Sequence, residues 1–332
     1  MAKDMTTDSL ILSERWRLAA LERAQVTQLG FMAVIIGLIF ALFHLLGNTV
    51  ENVNSQSAFV WMVARWSDSL SYGGADYSHG WLIPFVSLGV LWYKRRELLA
   101  APKTINQWGL AVIVLALLVH WFGAKMQQTR LSLASLILLL WGLPLYFFGW
   151  QLAKILIFPC TYLLFCIPLT FLDTLAFPLR LFATMIASGS LNIIGIEAHR
   201  SGTAIYSAAG GGFSFDVADP CSGLRSLLAM TALTAVYAYF TQKTLLKKWA
   251  LFLACIPLAI AGNIARIITV ALVAEALGDK LALGLYHDYS GYVVFSVAIG
   301  LMVGTGVVLN TDFVGAWQRL KTWLSQRMEP AA

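Results

Sequence analysis

The sequence predicts an all-α fold of the membrane kind, a polytopic bundle of about eight spanning helices with one interfacial helix and a small extracytoplasmic β-hairpin. Three observations carry that expectation. Of 332 residues, 59% are hydrophobic and only 12% charged, against roughly 25% charged in a soluble domain, and mean hydropathy is +0.73. The apolar residues gather in runs of about 18, long enough to cross a hydrocarbon core. Basic residues cluster between those runs, as at Lys94-Arg95-Arg96 and Lys243 to Lys248, which is the mark of cytoplasmic connections. The net charge of +6 is therefore read as inner-side loops, and nothing resembles a nucleic-acid-binding motif.

The elements follow in order. Residues 1–28 form a charged, amphipathic cytoplasmic lead with Arg15, Arg17 and Arg23. Leu29 to Leu46 is the first span, expected to be a retained signal anchor because no small-residue cleavage site follows it. Residues 48–78 are polar. Ser78-His79-Gly80-Trp81 opens a second span, which ends at Lys94-Arg95-Arg96 in the cytoplasm. The third, fourth and fifth cover about Trp108 to Phe122, Leu131 to Phe148 and Leu152 to Leu169, the last despite Pro159 and Pro168. A sixth covers about Ser222 to Phe240, a seventh Trp249 to Ala274, and the last Tyr292 to Leu309, before a basic cytoplasmic tail over 311–332. The single membrane domain is thus 29–310.

Leu172 to Ile194 needs separate treatment, since it is apolar yet carries Asp173, Arg180, Thr184, Ser188, Ser190 and Asn192. If it crossed, the basic connection at Lys243 to Lys248 and the basic tail would fall outside. Lying in the outer interface as an amphipathic helix, it keeps both inside. Between Glu197 and Asp219, the alternating runs Gly202 to Ser207 and Phe213 to Val217, joined by Ala208-Ala-Gly-Gly-Gly212, read as a β-hairpin outside the bilayer.

The chemistry concentrates where that hairpin enters the sixth span, at Asp219-Pro220-Cys221-Ser222-Gly223-Leu224-Arg225. Asp then Pro reads as an N-cap and first helical residue, so Cys221 falls in a first turn, where unpaired N–H groups and the positive helix end favour a thiolate. Arg225 lies one turn on and adds to that field. Against this stands the common case of a cysteine as a small buried hydrophobe. Cys160, Cys166 and Cys255 fit that description inside apolar runs, and no spacing among the four suggests a metal or a disulfide framework. No cofactor is expected.

Arg266 stands among apolar residues of the seventh span, where an ionisable group is expected to face the bundle interior. The plainer alternative is an Arg that snorkels outward or pairs with Glu275. Asn263 shares its face one turn earlier. His287 sits in the loop before the last span, where a lone His is commonly only a polar cap, and His79 could be either a second proton carrier or a cap beside Tyr77 and Trp81. His44 and His120 are assigned nothing. Taken together, Cys221, Arg266 and His287 occupy consecutive spans at one membrane face. That set suits acyl transfer, with a thiolate attacking a carbonyl, a His moving the proton and an Arg stabilising the oxyanion.

At these residues the chain resembles the exosortase/archaeosortase transpeptidases, in the bacterial exosortase branch. The resemblance rests on Ala218-Asp-Pro-Cys-Ser-Gly-Leu-Arg225, Asn263-Ile-Ala-Arg266 and His287-Asp-Tyr-Ser-Gly291, in that order on successive helices. It extends over about residues 75 to 310 and includes Ser78 to Trp81 and the glycine-rich hairpin. It implies a nucleophile at Cys221 and partners at Arg266 and His287; Arg225, Asn263 and His79 are the candidate substrate-binding positions by their own placement beside these residues. The resemblance further implies partners in the form of C-terminal tripartite sorting tails on exported proteins: a Pro-Glu-Pro-like motif, a transmembrane helix and a basic end. The implied location is the bacterial inner membrane, with the site facing the periplasm, in cells that export polysaccharide. The reading from another class is a transporter that binds an anionic substrate through Arg225 and Arg266; missing inverted repeats and the one-sided polar residues count against it.

Overall fold

In the computed structural model, the residues described are 26–27, 30–50, 55–67, 74–168, 171–207, 214–216, 224–278, 282 and 287–311. The chain forms two compact units, one from Met1–Ala64 and Gly89–Ile167, the other from Arg65–Leu88 and Pro168–Ala332. Among the described residues, four helices are long and apolar enough to cross a membrane: Trp108–Lys125, Thr129–Phe148, Leu245–Leu277 and Gly291–Asn310. Three shorter apolar helices, Gly30–Leu45, Trp150–Cys166 and Leu227–Thr241, match three further predicted runs. The predicted span after Trp81 is different. A 3₁₀ turn, Gly74–Trp81, leads into a twelve-residue helix, Leu82–Tyr93, which covers only about 18 Å of a roughly 30 Å core.

Surface and core are inverted relative to a soluble protein. The buried positions are rich in small and hydroxyl residues such as Ala116, Ala153, Ala187, Ala271, Ser132, Ser135 and Thr234, while Phe85, Trp92, Trp108, Leu118 and Val293 are exposed. That is the pattern of helices that pack closely on small residues and offer large apolar side chains to lipid.

The first unit holds α1 (Gly30–Leu45), most of α2 (Ala58–Ser67), the end of α3 (Leu82–Tyr93), α4 (Arg95–Ala100), α5 (Trp108–Lys125), α6 (Thr129–Phe148) and α7 (Trp150–Tyr162). α5 and α6 form a tight antiparallel pair because Gly109 lies directly on the Tyr146 backbone and Gly142 on Val112. The Trp141 indole donates to the Ala153 carbonyl at 2.9 Å and ties α6 to α7. Thr129 donates to the buried Asn48 amide oxygen at 2.6 Å. His44 meets Ser57 at 3.1 Å, and the His120 ring packs on Phe43.

The second unit contains the 3₁₀ turn, α8 (Phe171–Ile193), a sheet, α9 (Leu224–Thr241), α10 (Leu245–Leu277) and α11 (His287–Asn310). The helix predicted over 172–194 is present, and its buried face, Ala183, Thr184, Ala187, Ser188 and Leu191, recurs at three and four residues as a helical stripe must. Part of that stripe packs with Ala198, Ile205, Ile267, Val270, Ala271 and Ala274.

The predicted hairpin is part of a larger element. Among the described residues it is a three-stranded antiparallel sheet, β1 (Ala198–Ser201), β2 (Ala204–Ser207) and β3 (Ser214–Asp216), in the order β1-β2-β3. β2 pairs with β3 as expected, with Ile205 opposite Phe215. The added strand β1 turns into β2 through Gly202-Thr203, where Gly202 takes a φ of 62° that an L side chain rarely adopts. Its start is fixed by Asn192 near the end of α8. The Asn192 amide nitrogen donates to the Ala198 carbonyl at 3.1 Å, and its oxygen accepts from the Ala198 N–H at 2.8 Å.

Candidate active site

α9, α10 and α11 form a three-helix core whose register can be followed contact by contact. Thr234 of α9 is fully buried and is the joint: its hydroxyl donates to the Met302 sulfur of α11 at 3.0 Å, and its side chain also hydrogen-bonds Cys255 of α10. Met230 packs with Ala298 and Met302, Tyr237 lies on Gly306, and Asn310 donates to the Thr241 carbonyl at 3.2 Å. α9 and α11 therefore run parallel. α10 runs antiparallel to both, since Gly262 faces Val294 while Arg266, one turn later, faces Gly291 one turn earlier on α11.

Extended by the helical rise, these three pairings agree with one another. They set Leu224, Ala265 and Tyr292 at one level of the bundle. The starts of α9 and α11 and the middle of α10's second half thus meet there.

Arg266 is half-buried with its Nε inside the protein. A Cβ built on Gly291 would lie 3.5 Å from one terminal guanidinium nitrogen and 3.6 Å from Cζ. The guanidinium therefore rests on the first turns of α11. It does not reach along its own helix to Glu275, nine residues and about 13 Å further on, which is exposed. Asn263 is buried at 9% exposure on the same helix. Beyond Arg266, α10 enters the apolar cluster shared with α8 and the sheet, so the guanidinium marks the border between the three-helix core and the sheet layer.

The length of α10 bears on how deep the charge at Arg266 can lie. α10 has 33 residues, about 50 Å at 1.5 Å per residue, well beyond a roughly 30 Å core. Arg266 lies about 28 Å along the axis from Lys247 and Lys248. If those lysines mark one edge of the hydrocarbon, Arg266 is at the other, where a cation costs far less than at the midplane.

His287 is the first residue of α11, not a loop residue before it. Its backbone is one turn above Gly291, next to the Arg266 contact. Arg225 is the second residue of α9. Cys221, with Asp219 and Pro220 where the sequence predicts a cap, lies outside the described residues, three positions before Leu224. His79 is held in the 3₁₀ turn, half-buried, with the buried Tyr77 ring 6.1 Å from its own. That turn packs on α9, and Gly80 lies on the Trp66 indole. The five of these residues that are described, His79, Arg225, Asn263, Arg266 and His287, all belong to the second unit. Three features went unread in the sequence: Thr234 as a joint, Asn192 as a clamp and Gly291 as the surface beneath Arg266. Thr234 left no trace there; Asn192 stood only as a polar residue of 172–194, and Gly291 only as the last residue of the His287 motif.

The fold defines a mostly helical, multi-pass membrane protein in which the half-buried Arg266 lies against the first turns of α11. The chain belongs to the transmembrane exosortase family (Exosortase_EpsH), whose profile matches residues 66–304. Membership assigns a membrane transpeptidase role in protein sorting. No curated protein and no solved structure matches the chain.

Proposed function

We propose that this exosortase is a cysteine endopeptidase and transpeptidase that cleaves C-terminal sorting tails of exported proteins through a thioester on Cys221. The observation that supports it most is the shared level of Leu224, Arg266 and the start of α11. Three residues of chain span at most about 11 Å, so Cys221 is within reach of that level whatever path 221–223 takes.

The Cys221 thiolate attacks the carbonyl carbon of the scissile peptide, and the electron pair moves to oxygen, where the Arg266 guanidinium and the N–H groups at the start of a helix stabilise it. Collapse breaks the C–N bond. The leaving amine takes a proton from His287, and the product is a thioester. An acceptor hydroxyl, an amine or water then attacks the thioester, His287 removes its proton, and the C–S bond breaks to free Cys221.

In this proposal the bundle makes about eight crossings of the bacterial inner membrane, α8 lies at the outer interface, and the site faces the periplasm. The substrate's own transmembrane helix packs beside the bundle. Its Pro-Glu-Pro-like motif lies extended along the sheet, where strand addition supplies main-chain hydrogen bonds. The motif's carboxylate pairs with Arg225 or with the exposed His199-Arg200, while Asn263 and His79 complete the binding surface.

The test is Cys221→Ala in proteoliposomes with a tail-bearing substrate. Cleavage should be abolished with membrane insertion unchanged, and the wild type should form a hydroxylamine-sensitive adduct on Cys221. Retained cleavage in the variant would refute the assignment, and an intact transport activity without cleavage would favour an anion carrier.

A further inference from the structure

We infer that Gly291 is a positioning residue for tail cleavage: a residue no larger than a methyl at this place is the seat against which the Arg266 guanidinium lies at the start of α11. The inference rests on the catalytic reading of Arg266 above. Two common reasons for a glycine inside a helix are absent here. Gly291 does not have a positive φ, so backbone conformation does not require it. The atoms nearest its absent Cβ are Arg266 Nη2 at 3.5 Å, Cζ at 3.6 Å and Nη1 at 3.9 Å, so no backbone crosses closely there. What the position offers is a small surface against which a side chain from another helix lies at contact distance.

The distances also set the size limit. At 3.5 Å a single methyl group would touch the guanidinium at ordinary van der Waals distance, whereas any carbon beyond it would occupy the guanidinium's place. A Cβ built on Gly262, one turn before Arg266, would lie 3.3 Å from Val294 Cγ1, so α10 and α11 pack closely beside the Arg266 contact. Glycine is a poor helix former, so the helix itself gains nothing from it at 291. Gly300 and Gly304 on the same helix meet nothing within 4 Å, and they supply the internal comparison: glycines of α11 that seat nothing.

The experiment is a size series, Gly291→Ala, Gly291→Val and Gly291→Leu, with Gly300→Leu as the control, in the full-length protein in proteoliposomes. Single-turnover tail cleavage is measured together with the rate at which phenylglyoxal modifies Arg266, read by mass spectrometry. Gly291→Ala and Gly300→Leu should cleave within about twofold of wild type. Gly291→Leu should lower kcat by about 100-fold, the scale of losing one oxyanion donor, with KM little changed, and Arg266 modification should quicken. In an Arg266→Ala background Gly291→Leu should cause no further loss, because both changes remove one interaction. Equal losses in both backgrounds, or an unaltered modification rate in Gly291→Val and Gly291→Leu, would overturn the seat. Full activity in Arg266→Ala would instead refute the catalytic role of Arg266, while a size-dependent modification rate would still establish the seat.

Discussion

Asn192 gives the most exacting test of how the sheet is held. Its side chain makes both backbone hydrogen bonds that a neighbouring strand residue would make, at 2.8 and 3.1 Å to Ala198. Asn192→Ala removes both. Each is worth about 1 kcal/mol net. Ala198 is only 5% exposed, so its N–H and carbonyl lose their partners in a place water reaches poorly, which adds about 1 kcal/mol more. The local opening of β1 should therefore become easier by about 2 to 3 kcal/mol, a factor of about 30 to 150. Hydrogen exchange of the peptide covering 196–207, measured in nanodiscs, should lose protection by that factor, while peptides from α5 and α6 keep theirs. Asn192→Asp keeps the acceptor but sets an oxygen against the Ala198 carbonyl, and should lose at least as much as Ala. If the sheet binds the sorting motif, both variants raise KM and leave kcat nearly unchanged. Unaltered exchange at Ala198 in Asn192→Ala would refute the clamp.

Other outcomes follow from the same geometry. Arg266→Lys keeps the charge but loses the planar fork and one atom of reach; kcat in single-turnover cleavage should fall by about 10- to 100-fold, with insertion unchanged. Arg225→Ala should raise the apparent KM for a tail with an acidic motif and do so less for a tail whose Glu is replaced by Gln; an unchanged KM would remove Arg225 from substrate binding. Gly109→Ala drives a methyl into the Tyr146 backbone, and overpacking there should cost about 1 to 3 kcal/mol or more, seen as a lower thermal midpoint in detergent. Thr234→Val keeps the shape but loses the bonds to Met302 and Cys255. The midpoint should fall by the equivalent of about 1 kcal/mol, and cleavage by the remaining folded protein should persist.

The sequence made the membrane class plain because composition and run length are themselves the physics of insertion, and need no tertiary contact to be read. Arg266 stands out in the sequence because it interrupts an apolar run at a cost that calls for a reason, whereas Cys221 and His287 lie in polar stretches and are picked out by their motifs. The sequence was a poorer guide wherever a local signal had two meanings. His287-Asp288 through Gly291 carries turn-like residues and reads as a loop, yet the same residues open α11. Ala198-His-Arg-Ser201 has no alternation to announce a strand, because β1 exists by pairing with β2 and by the Asn192 clamp. Asn192 itself counted only as a polar residue against a crossing. The approach of Arg266 to Gly291 depends on the register between two helices, which no single stretch of sequence encodes.

The length of α10 has a consequence for the lipid. If Lys247 and Lys248 lie at one headgroup layer, the helix carries Arg266 to the opposite edge of a core of ordinary thickness, and the rest of α10 continues past it beside the sheet. A bilayer only a few ångströms thicker would draw the guanidinium into hydrocarbon or force the bundle to tilt. Acyl-chain length thereby becomes a control on this protein: reconstituted in lipids of increasing chain length, cleavage should hold steady and then decline once the membrane outgrows the distance from the lysines to Arg266. The same distance acts on the substrate, since a sorting tail whose own helix is too short or too long for that membrane would present its motif above or below the level where α9 and α11 begin.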